Sequence, residues 1–186
     1  MRKLFGIGFL LLSLAGLAVA QIPTSGNVFL GYSYYNTDVS SIGRANTNGW
    51  EGSFEGKIFP FIGIVADFSD HYGSQTFSFV CPVTIVIGGC TATSANFNER
   101  NILFGPRVSV GVGKFRPFAE ALFGAGHINI DGGSSDTSFA TALGGGLDVK
   151  IIRPVAWRFQ GDYVQTRFFD STQNNVRLST GIVLRF

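Results

Sequence analysis

Charged side chains, histidines and cysteines are all scarce in this sequence. Asp, Glu, Lys and Arg make up 14% of the 186 residues, whereas soluble domains average roughly 25%. Cys81, Cys90, His71 and His127 are too few and too dispersed to predict a zinc site. The shortage of charge disfavours an ordinary soluble surface, and we expect no metal and no other cofactor.

Long apolar runs are also missing, except at the N-terminus. Two basic residues precede an apolar stretch over residues 4–17, and Ala-Val-Ala follows at 18–20. This is the layout of a cleaved secretory signal peptide, because the run is short for the ~20 residues of the alternative, a transmembrane helix. We therefore predict a signal peptide over residues 1–20 and one exported domain over residues 21–186.

A surplus of positive charge is absent once that segment is removed. Without Arg2 and Lys3 the 14 basic residues fall to 12, which equals the 12 acidic residues. Proteins that bind nucleic acid cluster positive charge, and no long basic run occurs here. We exclude nucleic acid as a partner.

What the sequence does contain is a two-residue alternation of apolar and polar side chains, rich in Gly and Phe. Its 25 glycines and 19 phenylalanines suit strands and turns rather than a helical bundle. The alternation predicts eight strands, each near the ~9–11 residues with which a tilted strand crosses a bilayer. The predicted strands cover residues 27–36, 49–59, 61–70, 100–112, 115–126, 138–151, 156–168 and 175–186.

The connections between these strands alternate in length. Tight turns are predicted at Pro60, Gly113-Lys114 and Arg153-Pro154. Outer-membrane barrels place short turns on the periplasmic side and longer loops outside the cell. The predicted fold is therefore all-β, an eight-stranded antiparallel up-and-down transmembrane β-barrel. Its four polar loops are predicted at residues 37–48, 70–99, 127–137 and 169–174.

One face of the predicted strands is apolar and the other is charged. A soluble lipocalin-like barrel would bury the apolar face, whereas a membrane barrel turns it towards lipid. The second arrangement is favoured because the polar face has nearly balanced charge and many glycines, and because aromatic residues, Phe168 among them, lie near strand ends. The predicted interior network comprises Glu51, Glu55, Lys57, Asp67, Arg107, Arg116, Glu120, Asp148, Lys150, Arg158, Asp162, Arg177 and Arg185.

Pro106 fits this scheme poorly. It lies inside the fourth predicted strand, and proline cannot donate a ladder hydrogen bond. A closed barrel has no free edge to accommodate it, so we expect a bulge or a local break.

The chain ends in an alternating strand whose last residue is aromatic. Leu178, Ile182, Leu184 and Phe186 share one face, with Thr180 as the least apolar member of the series. With the signal peptide, the strand count and the inverted faces, this ending resembles the OmpA-like and OmpX-like outer-membrane β-barrel domains of Gram-negative bacteria, over residues 26–186.

That resemblance implies a location and partners. The protein is expected in the outer membrane, surrounded by lipid and lipopolysaccharide. Members of this family are inserted by the barrel-assembly machinery, which recognises the last strand. Leu178, Ile182, Leu184 and Phe186 match that assembly signal, and the last strand is expected to close the barrel against the first.

The segment CPVTIVIGGC, residues 81–90, lies in the longest predicted loop and is unusually apolar. Export favours a disulfide between Cys81 and Cys90, which would stabilise the loop by roughly 2–3 kcal/mol. The segment then serves either as a stapled hairpin that extends two strands or as an adhesive surface for an extracellular ligand of the loop 70–99.

Three functions from different classes follow. The first is a non-catalytic barrel with a salt-bridged interior and a structural or adhesion-type surface role. The main alternative is a small porin in which the interior charges line a narrow ion pathway, although eight strands leave room only for side chains or a small ligand. A lipid A-modifying enzyme is less favoured, because neither His71 nor His127 lies in the serine-containing pattern of such barrels.

Overall fold

A computed structural model describes residues 25–39, 43–77, 93–131 and 135–186. The predicted signal peptide and the cysteine segment lie outside these residues. A single 3₁₀ turn, Phe168–Asp170, joins the last two strands, and no helix within the described ranges is long and apolar enough to cross a membrane. The eight strands are β1 (Gly26–Val39), β2 (Gly43–Lys57), β3 (Ile62–Phe77), β4 (Thr93–Ser109), β5 (Phe115–Ile130), β6 (Ser135–Lys150), β7 (Val155–Thr166) and β8 (Gln173–Arg185).

The strands form one closed barrel in which each pairs antiparallel with its sequence neighbours. β1 closes the barrel by pairing with β8, from Asn27 opposite Arg185 to Asn36 opposite Val176. The predicted eight-stranded up-and-down architecture is therefore confirmed. Closure leaves no unpaired strand edge, which a membrane-spanning sheet requires because lipid cannot satisfy backbone groups.

The strand faces are arranged as in a membrane barrel. Along β8, Val176, Leu178, Ile182 and Leu184 point outward and are exposed, while Arg177 points inward and is completely buried. The same alternation holds on the other strands, so an apolar belt surrounds a polar interior. The outward part of β8 from Val176 to Leu184 matches the ~9–11 residues of a tilted membrane-spanning strand.

The short connections lie at one end of the barrel, which we call the short-turn rim (residues 58–61, 110–114 and 151–154). The other four connections lie at the opposite end, the long-loop rim. The predicted bounds of these loops, 37–48, 70–99, 127–137 and 169–174, are wrong, because strands continue into all four of them and the last connection begins two residues earlier than predicted. The connections are confined to residues 40–42, 78–92, 131–134 and 167–172.

Polar outward side chains explain this difference. Above the apolar belt the strands are rich in Asn, Ser and Thr, which resemble a loop in the sequence. In the barrel these residues pair across strands, as where Asn36 Nδ2 donates to Asn46 Oδ1 at 2.6 Å. The backbone ladder therefore continues into the aqueous layer, where polar side chains are solvated.

Pro106 interrupts pairing on one side only. It pairs with Ile64 on β3, but β4 and β5 lack paired residues between Phe104 opposite Phe123 and Arg107 opposite Glu120. The register is the same on both sides of this gap, so the chain contains a local break and no bulge. The gap accommodates a residue that lacks an N–H group.

Candidate functional site

The barrel interior nearest the short-turn rim contains two buried arginines. Arg107 Nε donates to Glu120 Oε2 at 2.6 Å, and Arg158 donates to both carboxylate oxygens of Asp148 at 2.7 and 3.1 Å. Both guanidinium groups lie over the ring of Phe118, at 4.5 and 4.6 Å from its centroid. Ion pairs and cation–π contacts thus hold this layer together.

A third buried arginine occupies the middle of the barrel. Arg177 lies 2.8 Å from Asp67 Oδ1, 2.8 Å from Asp162 Oδ2 and 3.3 Å from Glu51 Oε2. These partners come from β3, β7 and β2, so a single side chain links distant walls of the barrel. Gln160 donates to Glu51 at 2.9 Å and to Glu120 at 3.0 Å. These two bonds connect the Arg177 layer to the layer nearest the short-turn rim.

Histidine and tyrosine form the next layer towards the long-loop rim. His71 Nε2 lies 2.8 Å from Ser33 Oγ, and its ring stacks on Tyr35 at 4.7 Å. Ser33 and Ser179 are hydrogen-bonded to one another, and Ser179 donates to Glu51. The chain of polar contacts therefore runs from His71 down to the Arg177 layer. The structure places His71 inside the barrel, where it is fully buried.

Glu99 is a buried carboxylate that the sequence analysis missed. Tyr35 donates to it at 3.0 Å and Thr37 at 3.2 Å, and Asn175 donates to the Tyr35 hydroxyl at 2.8 Å. Residue 99 fell within the predicted loop 70–99. Its position on the inward face became recognisable only once β4 was seen to begin at Thr93.

An apolar cluster lies at the long-loop end of the interior. Phe168 packs with Ala45, Phe97 and Ile128, and all four are buried. Gln173 holds the Phe168 backbone, since its Oε1 accepts from the Phe168 N–H at 2.8 Å and its Nε2 donates to the Phe168 carbonyl at 3.0 Å. The prediction that Phe168 belongs to the outer aromatic belt is wrong, because the inward alternation of Asp162, Val164 and Thr166 continues to Phe168, whose ring is buried.

The remaining members of the predicted network lie at the short-turn rim and are less buried. Lys57 contacts Glu55 at 3.1 Å, and Arg185 contacts Asp148 at 3.0 Å. Arg116 and Lys150 are half-buried at the same end. The described residues contain no group of three or more acidic, His or Cys side chains placed to hold a metal ion.

The outer wall above the apolar belt carries a polar groove of about 640 Å³ at the long-loop rim. Asp70 accepts from Tyr72 at 2.9 Å, Asn98 at 2.6 Å and Arg100 at 3.1 Å. Asn129, on the neighbouring strand, also lines the groove. We call this surface the outer groove; it combines an aromatic ring, amides and one ion pair.

The C-terminal residues lie on the outer wall. Leu178, Ile182, Leu184 and Phe186 are all exposed there. Phe186 exchanges backbone hydrogen bonds with Gly26 at 3.0 and 3.1 Å, and its ring stacks on Phe54 at 5.9 Å. A Cβ atom at position 26 would lie 2.3 Å from the backbone carbonyl oxygen of Glu55, so this position beside the closing contact needs glycine.

Solved structures share this architecture at low sequence identity. Ail, the attachment invasion locus protein of Yersinia pestis, is 17% identical with a TM-score of 0.58, over 87% of this chain and 98% of that chain. Neisserial surface protein A is 14% identical with a TM-score of 0.66, over 87% and 97%. The N-terminal β-barrel domain of Pseudomonas aeruginosa OprF is 12% identical with a TM-score of 0.50, over 87% and 99%.

The chain folds as an eight-stranded outer-membrane β-barrel. No protein-family model and no curated protein matches its sequence. At these identities the structural likeness establishes the fold alone, so the function has to be argued from the barrel's own residues.

Proposed function

We propose that this barrel resides in the outer membrane, has a closed interior, and serves a structural or surface-interaction role of the adhesion type without catalysis. The filled interior carries this proposal. Arg107, Arg158 and Arg177 are completely buried and paired with carboxylates, and Phe168 covers the long-loop end. A continuous water path past these layers would have to break several ion pairs.

Planar-bilayer recording tests the closed interior. The wild-type protein is expected to show no conductance above that of a protein-free bilayer. Discrete conductance steps would instead favour the small porin. If steps appear, a Gln160→Cys variant treated with a cationic thiol reagent locates the current, since Gln160 lies between the two arginine layers.

Burial also argues against catalysis by the one serine–histidine contact in the described part of the interior. Ser33 and His71 are both fully buried, so no lipid or sugar can reach the hydroxyl group. Lipid A from cells that express the wild type and Ser33→Ala is expected to have the same mass spectrum. A mass change that requires Ser33 would establish a lipid A-modifying enzyme.

The outer groove is the proposed ligand surface, and several described residues of the predicted loop 70–99 line it. Amides beside an exposed aromatic ring suit a polar, largely uncharged ligand such as a saccharide, because rings stack on sugar faces and amides pair with hydroxyl groups. Lipopolysaccharide and host surface glycans both present such chemistry at this height.

The matched control for this surface is a second Tyr–Asn pair. Tyr163 donates to Asn174 Oδ1 at 2.6 Å on the outward face of β7 and β8. Cells that display Tyr72→Ala with Asn98→Ala are expected to lose binding to an immobilised saccharide panel, whereas Tyr163→Ala with Asn174→Ala retain it. Equal binding by all three proteins would reject the outer groove as the ligand surface.

Orientation is tested by labelling intact cells with a membrane-impermeant maleimide, in a Cys81→Ser, Cys90→Ser background. Asn129→Cys, at the long-loop rim, is expected to react, and Lys114→Cys, at the short-turn rim, to be protected. The opposite pattern would place the long-loop rim in the periplasm.

A further inference from the structure

Basic side chains are concentrated at the short-turn rim. Lys57, Lys114 and Lys150, the three lysines of the described residues, all lie there, as do Arg116, Arg153 and Arg185. No acidic residue occurs in the three turns of this rim. The long-loop rim has no such excess, since Arg100 is paired with Asp70 and several other acids lie nearby.

The carboxylates near the short-turn rim are already shared among several cations. Glu55 contacts both Lys57 and Arg107, and Asp148 contacts both Arg158 and Arg185. The described residues place no carboxylate within ion-pair distance of four cations at this rim. Those four are Lys114, Arg116, Lys150 and Arg153.

These cations line a shared cavity of about 370 Å³. Arg185, which also lines the cavity, repels Arg116, while the carboxylates of Glu55 and Asp148 attract it. A cavity of this size that collects positive charge fits an anion.

Apolar residues form the lipid-facing margin of the same cavity. Phe115, Ile152 and Phe186 line it and are more than half exposed on the outer wall. A lipid bound there would place its charged headgroup among the cations. Its acyl chains would lie against these apolar side chains.

We propose that the cavity at the short-turn rim binds a phosphate-bearing ligand, with Arg116, Lys150 and Arg153 as its cationic partners. The phosphate belongs either to an anionic phospholipid headgroup of the adjacent leaflet or to a soluble phosphate compound. The identity of that leaflet rests on the proposed orientation, but the site itself does not, because binding to the purified protein is independent of orientation.

The first test is calorimetric titration of the protein in neutral detergent with inorganic phosphate and with soluble short-chain phosphatidylglycerol. Arg116→Gln with Lys150→Gln is expected to weaken binding by about tenfold or more for each charge removed, since charge-assisted hydrogen bonds are lost. Arg167→Gln removes one cation at the opposite rim and is expected to leave binding unchanged.

The second test distinguishes the two sources of phosphate. Protein is reconstituted into nanodiscs with equal parts of phosphatidylcholine and phosphatidylglycerol, and retained lipid is identified by native mass spectrometry. Phosphatidylglycerol retained by the wild type and lost from the double variant establishes a lipid site. Phosphate binding without such retention establishes a site for a soluble compound.

Circular dichroism verifies that the double variant folds. If it does not fold, the single variant Arg153→Gln, on an exposed turn, is used in its place. The proposal is overturned if neither probe binds the wild type. It is also overturned if the folded rim variants bind as tightly as the wild type, or if Arg167→Gln weakens binding as much as they do.

Discussion

Removing the charge of Arg177 should destabilise the barrel more than any comparable change at its surface. Arg177→Met keeps much of the side-chain volume but leaves Glu51, Asp67 and Asp162 without the cation that lies within 3.3 Å of all three. All four side chains are buried. The carboxylates would then repel one another in a buried region.

The magnitude follows from burial. Breaking a buried ion pair by removing one partner costs about 3–5 kcal/mol, and three orphaned carboxylates place Arg177→Met at the upper end of that range. Arg100→Met is the matched control, because Arg100 also pairs with an aspartate, at 3.1 Å, but its side chain is 54% exposed. Exposed ion pairs contribute about 0–1 kcal/mol.

The assay is reversible urea unfolding in lipid vesicles, followed by the fluorescence of Trp50 and Trp157. Both indole rings lie on the outer wall, so they report transfer from lipid to water. A free energy of unfolding for Arg177→Met within about 1 kcal/mol of that for Arg100→Met would refute the view that the interior ion pairs are desolvated.

Three further outcomes are expected. Phe168→Ala should lower the free energy of unfolding by about 3–5 kcal/mol, as for other buried aromatic rings. The variant should still not conduct ions across a bilayer, because the arginine layers remain. Conductance would show that the apolar cluster around Phe168 alone closes the barrel. Deleting Phe186 should reduce outer-membrane abundance in cells but cost a refolded barrel only about 1.5–3 kcal/mol of apolar burial; normal abundance would remove the proposed assembly signal. Cys81→Ser with Cys90→Ser should leave insertion intact; if the loop carries the function, the same change should weaken surface binding, and unchanged binding would dismiss a stapled recognition loop.

The sequence predicted the architecture because the apolar–polar alternation within each strand shows which residues share a face. The face that each residue of an amphipathic strand takes cannot be mistaken over many residues, since a shift by one position exchanges the two faces. Ile182 and Leu184 therefore had to face one side and Arg177 and Arg185 the other. Closure of β1 on β8 was expected from the resemblance to outer-membrane barrels, and the structure confirms it.

Strand ends were harder to predict, because polar residues occur in this fold both in loops and in the parts of strands that extend beyond the apolar belt. Asn98 and Asn129 resemble loop residues, yet they lie opposite one another in a continuous ladder. Above the apolar belt a strand no longer needs apolar outward side chains, so the alternation disappears while the backbone pairing persists. Glu99 was missed for the same reason.

The sequence by itself determined that this chain would form eight amphipathic strands with charge on one face, because a period of two residues is a local property. Only the tertiary structure decided which charges meet. Arg177 joins Asp67 on β3 and Asp162 on β7, and Phe168 reaches Phe97 across the barrel. Such contacts depend on the stagger of strands around a closed sheet, which fixes the height of every inward side chain and is not encoded in any single strand.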